Sequence, residues 1–224
     1  MNLWIKICGN TSFEDALLAA EAGADALGFV FAPSPRRVTR KQVTEIVKRL
    51  PTAVEKIGVF VDSTFDEIDA IVRECMLTGV QLHFESNPDL PAKLRKRLGS
   101  DLRIVRVLRY NTRIAGRAAT LARDKNIDAL LVDSRIARAA GGTGIAFNWN
   151  SAASLFRNSR PSSRMIVAGG LTPENVTEAI AKLHPWGVDV VSGVEISPGR
   201  KDPHKVRTFI AKARTAILTD ELKS

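Results

Sequence analysis

Apolar residues along the chain switch repeatedly between two spacings. Short runs rich in β-branched and aliphatic residues stand at Leu3–Cys8, Ala26–Phe31, Lys56–Val61, Val80–Phe84, Arg103–Leu108, Ala129–Val132, Met165–Ala168 and Val188–Val191, and each predicts a strand. Between them apolar positions recur three and four apart, as at Val43, Ile46, Val47 and Leu50 or at Ile68, Ile71, Val72 and Cys75, which predicts helices with one buried face. Thr11 with Glu14, Thr39 with Gln42 and Thr64 with Glu67 have the spacing of capping boxes at helix starts. Thr172-Pro173 and Asp202-Pro203 put an N-cap before a first-turn proline, and Gly23, Pro51, Gly79 and Gly99 are expected to stop helices.

Eight strand-then-helix units in 224 residues leave 28 residues for each, close to the minimum for a parallel βαβ crossover. The expected fold class is therefore α/β, a single (β/α)8 TIM barrel spanning 1–224 as one domain, with Ser134–Asn150 as its one long loop. An open doubly wound sheet is the competing arrangement, but the GxGxxG fingerprint of its nucleotide-binding turn is missing.

Composition narrows the function classes. At 45% hydrophobic and 25% charged residues the chain is neither disordered nor fibrous. It has no run of about 20 apolar residues and no basic-then-apolar leader, so it is expected to be cytoplasmic, with no membrane partner. The 33 Lys and Arg against 24 Asp and Glu give a formal charge of +9, which raises the question of nucleic acid. The basic residues are scattered, however, and the densest stretch, Lys93 to Arg97, reads as the solvated face of a helix. Aromatic residues make up only 6%, too few for base stacking, so steering of a small anionic substrate is the preferred reading and no nucleic-acid partner is expected. Cys8 and Cys75 are too few for a disulfide framework and lack metal-ligand spacing; no metal site is expected.

In such a barrel the chemistry sits where strands end. The residues there are Cys8-Gly9, Ser34-Pro35-Arg36, Asp62, His83, Arg109, Asp133, Gly169-Gly170 and Ser192-Gly193. The two glycine turns follow the seventh and eighth strands, where barrels commonly hold a phosphate on backbone N–H groups, with Gly193-Val194-Glu195 opening a short extra helix; the plainer reading is two tight turns. Gly141-Gly142-Thr143-Gly144 is a third phosphate contact, a lid or a hinge. Cys8 shares a strand face with Lys6, whose charge favours a thiolate, whereas Cys75 reads as an inert small hydrophobe. Asp133, closing an apolar strand, is either an N-cap or a catalytic acid. Arg36 suits a carboxylate, with Arg37 the better candidate for a plain surface arginine, and His83 and Asp62 are polar rim residues able to assist.

These residues resemble the phosphoribosylanthranilate isomerase family of tryptophan biosynthesis. The matching motifs are Lys6-Ile7-Cys8-Gly9, Ser34-Pro35-Arg36, Gly58-Val59-Phe60-Val61, Val80-Gln81-Leu82-His83, Leu131-Val132-Asp133, Gly141-Gly142-Thr143-Gly144, Gly169-Gly170-Leu171 and Ser192-Gly193-Val194-Glu195, with Pro198-Gly199-Arg200-Lys201-Asp202 close behind. The resemblance implies an isomerase that carries out an Amadori rearrangement without a cofactor, with Cys8 as general base and Asp133 as general acid. It implies that Arg36, His83 and Asp189 bind the substrate's body and that Gly142, Gly144, Gly169, Gly170, Ser192 and Gly193 bind its phosphate. The implied partner is a small phosphosugar, and the implied state a monomer or homodimer. Three positions depart from the family pattern: Phe84 stands for a glycine, Ile145 for a lysine and Asn148 for an aspartate. Two other barrels compete: a histidine-pathway aminoaldose isomerase, which would carry an aspartate in place of Cys8, and a phosphosugar-binding barrel without catalysis, which would keep the glycine turns but would not need Cys8 and Asp133 together.

Overall fold

The computed structural model describes residues 3–83, 87–110, 114–133, 149–158 and 164–221. Its eight parallel strands are β1 (Trp4–Ile7), β2 (Ala26–Val30), β3 (Glu55–Phe60), β4 (Gly79–Leu82), β5 (Arg103–Arg109), β6 (Ala129–Asp133), β7 (Arg164–Ala168) and β8 (Gly187–Val190). They pair in sequence order and close into a barrel through four register pairs between β1 and β8, from Trp4↔Gly187 to Ile7↔Val190. The intervening helices are α1 (Phe13–Glu21), α2 (Arg40–Val47), α3 (Phe65–Glu74), α4 (Leu90–Leu98), α5 (Ile114–Leu121), α6 (Trp149–Asn158) and α7 (Val176–Leu183), and α8 (Pro203–Glu221) follows a short hairpin of β9 (Glu195–Ser197) and β10 (Arg200–Lys201). None of the described helices is long and apolar enough to cross a membrane.

Side chains alternate along each strand, so the apolar residues divide into two clusters. Leu27, Phe29, Phe60, Leu82, Val132 and Val167 point outward and meet the helices. Ala26, Ile57, Val105, Leu131 and Ile166 point inward with Trp4, and fill the barrel. The end of the barrel where the strands begin is plugged. Trp4 stacks on Trp186 with ring centroids 5.3 Å apart, and the guanidinium groups of Arg103 and Arg164 lie 5.5 and 5.1 Å from the Trp186 ring. Arg103 also donates to Glu55 at 2.5 and 2.7 Å, which completes a rigid floor opposite the mouth.

Thr39 and Thr64 form capping boxes with Gln42 and Glu67 as expected, and Asp202 accepts from the backbone N–H groups of His204 and Lys205 to start α8. Three helix boundaries differ from expectation. The α1 cap is Ser12, bonded to Asp15 N–H, because the Thr11 hydroxyl is spent on the Gly199 carbonyl at 2.6 Å. Thr172 caps a separate turn, accepting on its carbonyl from Asn175 and Val176, so α7 begins three residues after Pro173. Gly79 opens β4 rather than stopping a helix: α3 already ends at Glu74, and Met76 turns the chain with a φ of 51°. Within Lys93–Arg97, Arg95 leaves the solvated face. Its guanidinium donates to the carbonyls of Gly99, Ser100, Leu102 and Asn126 and pairs with Asp128 at 2.7 Å, fastening α4 to the start of β6. Of the expected loop Ser134–Asn150, Trp149 and Asn150 open α6 and the rest lies outside the described residues.

Candidate active site

Strand β1 brings two unlike groups to the inside of the barrel because Lys6 and Cys8 are two residues apart. Lys6 is fully buried, and its ammonium donates to Asp189 Oδ1 on β8 at 2.8 Å. The register pair Lys6↔Asp189 sets this contact. The neighbouring strand leaves room for the thiol: a Cβ at Gly28 would sit 2.4 Å from Cys8 Sγ, so only glycine lets the sulfur lie against β2. Burial pushes the Cys8 thiol above its ordinary value. Lys6 and, more weakly, Lys201 pull the other way, and the Asp189 charge adds to the upward push. Lys6 does favour the thiolate, as the sequence suggested, but it does not overcome desolvation.

Asp133 ends β6, three strands from β1 around the closed barrel, and is half-buried. His83, just past β4, is held by Gln81, whose Nε2 lies 3.1 Å from the ring Nε2; with the amide donating, the ring carries its proton on Nδ1. Burial lowers the His83 pKa, opposed by the Asp133 charge and assisted by that of Lys6, so the imidazole is neutral near pH 7. The charges of Asp133, Lys6, Asp189 and Arg109 all act on His83. Arg36 reaches the site from the loop after β2. Its Nε donates to Glu195 Oε1 at 2.8 Å and its NH2 to Oε2 at 2.6 Å. Arg37 is exposed.

The turns after β7 and β8 lie side by side. Gly169 and Gly170 have φ of 85° and 67°, and Asn175 staples their turn by donating to the Gly170 carbonyl at 2.9 Å. Ser192–Val194 forms one turn of 3-10 helix, so the expected short helix begins one residue before Gly193 and is already over at Glu195. A Cβ at Gly193 would come within 1.9 Å of the Leu171 carbonyl oxygen, which fixes glycine there and locks the two turns together. Gly142 and Gly144, with Phe84, Ile145 and Asn148, lie outside the described residues. Asp62 is exposed and lines a cleft of about 1050 Å³ between α2 and α3, and it does not join the group at the barrel mouth. Cys75 is buried beside Thr44 and the Arg40 carbonyl, away from the site. Among the described residues no three His, Cys, Asp or Glu side chains are grouped as metal ligands.

Sequence reading left two participants without a role. Glu195 and Lys201 are ordinary charged residues by composition, and only the fold of the β9–β10 hairpin shows that both are buried against Arg36 and Cys8. Their signal in the sequence was membership of the two motifs that follow the eighth strand, Ser192-Gly193-Val194-Glu195 and Pro198-Gly199-Arg200-Lys201-Asp202, neither of which gave them a role.

The fold defines a class: a (β/α)8-barrel enzyme with a thiol, carboxylate, imidazole and guanidinium gathered at its C-terminal mouth. The chain belongs to the N-(5'-phosphoribosyl)anthranilate isomerase family, whose profile matches residues 5–212. It is 43% identical to the N-(5'-phosphoribosyl)anthranilate isomerase of Citrifermentans bemidjiense over 96% of this chain and 98% of that one. The phosphoribosyl anthranilate isomerase structure from Thermotoga maritima matches with a TM-score of 0.84 at 34% identity, covering 95% of this chain and 99% of that one. A second such structure matches with a TM-score of 0.81 at 33% identity, again over 95% and 99% of the two chains, and holds reduced 1-(o-carboxyphenylamino)-1-deoxyribulose 5-phosphate.

Proposed function

We propose that the chain isomerises N-(5'-phosphoribosyl)anthranilate to 1-(o-carboxyphenylamino)-1-deoxyribulose 5-phosphate, with Asp133 as general acid and Cys8 as general base. Asp133 gives a proton to the furanose ring oxygen, the ring C–O bond breaks and the anilino nitrogen supplies the electrons that leave an iminium. Cys8 thiolate then takes the sugar C2 proton, and that C–H electron pair flows to the iminium nitrogen to give an enolamine. Tautomerisation of the enolamine yields the ketone. The observation that carries this reading is the placement of thiol and carboxylate at the ends of β1 and β6, three strands apart around the closed barrel. His83, neutral and turned by Gln81, contacts the substrate's body, and Asp189 contributes through the ammonium of Lys6. Loss of substrate fluorescence on incubation with the purified protein is the direct test; no loss at any enzyme concentration rejects the reading.

Arg36 holds the anthranilate carboxylate. Arg36→Met is expected to raise KM by about 10- to 100-fold, the worth of a charge-assisted hydrogen bond, with a smaller change in kcat. A wild-type KM would move carboxylate binding elsewhere.

The phosphate rests on backbone N–H groups of the turns at Gly169-Gly170 and Ser192-Gly193. Inorganic phosphate is expected to compete with substrate, and Gly193→Ala to weaken that competition by about tenfold, because the added Cβ forces the turn away from Leu171. An unchanged inhibition constant for phosphate in this variant would place the anion outside these turns.

A further inference from the structure

Arg36 has five N–H donors, and this structure spends two of them inside the protein. The Nε and NH2 groups form a two-point pair with the Glu195 carboxylate, at 2.8 and 2.6 Å, which leaves the outer edge of the fork, NH1 and the second NH2 hydrogen, for a ligand. Glu195 is itself nearly inaccessible, with a side chain only 4% exposed. Its Oε1 also accepts from Lys201 at 3.2 Å and from the Gly199 backbone N–H at 3.2 Å. Lys201, buried as well, donates to the backbone carbonyl of Cys8 at 2.5 Å. One carboxylate thus sits between the guanidinium and the strand end that carries the thiol. The hairpin that presents it is fastened in turn, by the Thr11 hydroxyl on Gly199 and by Lys201 N–H on Asp15.

A lone arginine on a loop would sample many rotamers, and a carboxylate ligand would bear the cost of ordering it. We propose that Glu195 is a positioning residue for this enzyme: it presents the outer edge of Arg36 to the substrate carboxylate and, through Lys201, sets that edge at a fixed distance from Cys8. The trio of Arg36, Lys201 and Glu195 keeps one net positive charge, which matches the single negative charge of an anthranilate carboxylate. The proposal rests on the assignment of that carboxylate to Arg36, and the experiment separates the two.

Steady-state kinetics with N-(5'-phosphoribosyl)anthranilate are measured for Arg36→Met, Glu195→Gln and the two combined. Glu195→Gln is expected to raise KM about tenfold and to change kcat by less than about threefold. In the combined variant KM is expected to equal that of Arg36→Met alone, since Glu195 has nothing left to position. A merely structural carboxylate would instead give effects that multiply, and multiplication overturns the proposal, as does a wild-type KM in Glu195→Gln beside a raised KM in Arg36→Met. A wild-type KM in Arg36→Met removes the carboxylate assignment itself, and the proposal with it. Should Glu195→Gln fail to fold, Glu195→Gln with Lys201→Met restores the net charge of the trio, and the same comparison is made on that background with the same expected and contrary results.

Discussion

Cys8→Ala is expected to lower kcat by at least about 10²-fold while KM stays near the wild-type value, and Asp133→Asn to do the same. Neither change removes a group that holds the substrate's fixed charges, which the proposed function assigns to Arg36 and the glycine turns. Each removes a proton acceptor or donor needed only as bonds at the sugar rearrange. Cys8→Ala keeps the space beside Gly28 open and the Lys6–Asp189 pair intact, so lost activity cannot be traced to collapse of the barrel interior. Asp133→Asn keeps the side chain's size but cannot give up a carboxyl proton. Activity within about threefold of wild type in either variant would reject that residue's role. The raised Cys8 pKa adds a second readout. Alkylation of Cys8 by iodoacetamide, followed in a Cys75→Ala background, is expected to accelerate as pH rises through and beyond the ordinary thiol value of 9.0. A rate that levels off below pH 8 would show that Lys6 outweighs burial.

The second large effect is on stability. Lys6 and Asp189 are both nearly inaccessible and meet at 2.8 Å, so removing the lysine leaves a buried carboxylate with its partner gone. Lys6→Met is expected to cost about 3–5 kcal/mol, the usual consequence of breaking a buried pair on one side. That is a large part of the roughly 5–15 kcal/mol that holds a domain folded. Lys6→Met with Asp189→Asn removes both charges and is expected to regain most of the loss. The comparison needs urea unfolding of the three proteins, and a loss below about 1 kcal/mol in Lys6→Met would mean that Asp189 finds other company. The pair also has a pH signature. Burial lowers the Lys6 pKa, but Asp189 and Cys8 more than offset it, so the folded value lies above the ordinary 10.5. Its contribution to stability is therefore complete below pH 10.5 and lost as pH rises through the folded value. In the Lys6→Met variant the alkylation of Cys8 is expected to shift to still higher pH, since the nearest cation is gone.

The barrel was legible because its signal is repetitive. Eight apolar runs at even spacing survive errors of a residue or two at each end, as with Val80–Phe84 against the observed Gly79–Leu82. Boundaries failed where a tertiary partner took the local group. Thr11 has the spacing of a cap, but the Gly199 carbonyl, 188 positions away, claims its hydroxyl. The candidate site was legible where a residue stands at a strand end, which is how Cys8, His83, Asp133 and the glycine turns were picked out. Arg36 was seen as a carboxylate binder but not as already paired. Glu195 and Lys201 do not stand out in the sequence, because a charged residue in a polar hairpin looks solvated until the hairpin is folded down onto the barrel. Lys6 shows the same limit. A lysine in an apolar strand reads as a helper for its neighbour, and its full burial becomes visible only when β8 supplies Asp189 from the far end of the chain.

That last pairing bears on how the barrel is made. Lys6 finds its β2 partner Ala26 after 20 residues, but Asp189 lies 183 residues away, and closing the longer loop costs about 2 kcal/mol more in chain entropy. During synthesis from the N-terminus, β1 therefore waits as an unpaired sheet edge until nearly the whole chain has emerged. An open edge is where strands from other molecules add on, and a charged lysine that cannot be buried without its own counterion discourages such additions. A foreign strand brings hydrogen bonds but no carboxylate at the right register, so it would have to desolvate the ammonium with nothing in return. The ion pair that lies under the thiol in the folded barrel thus favours, on physical grounds, β8 over a strand that brings no carboxylate at that register.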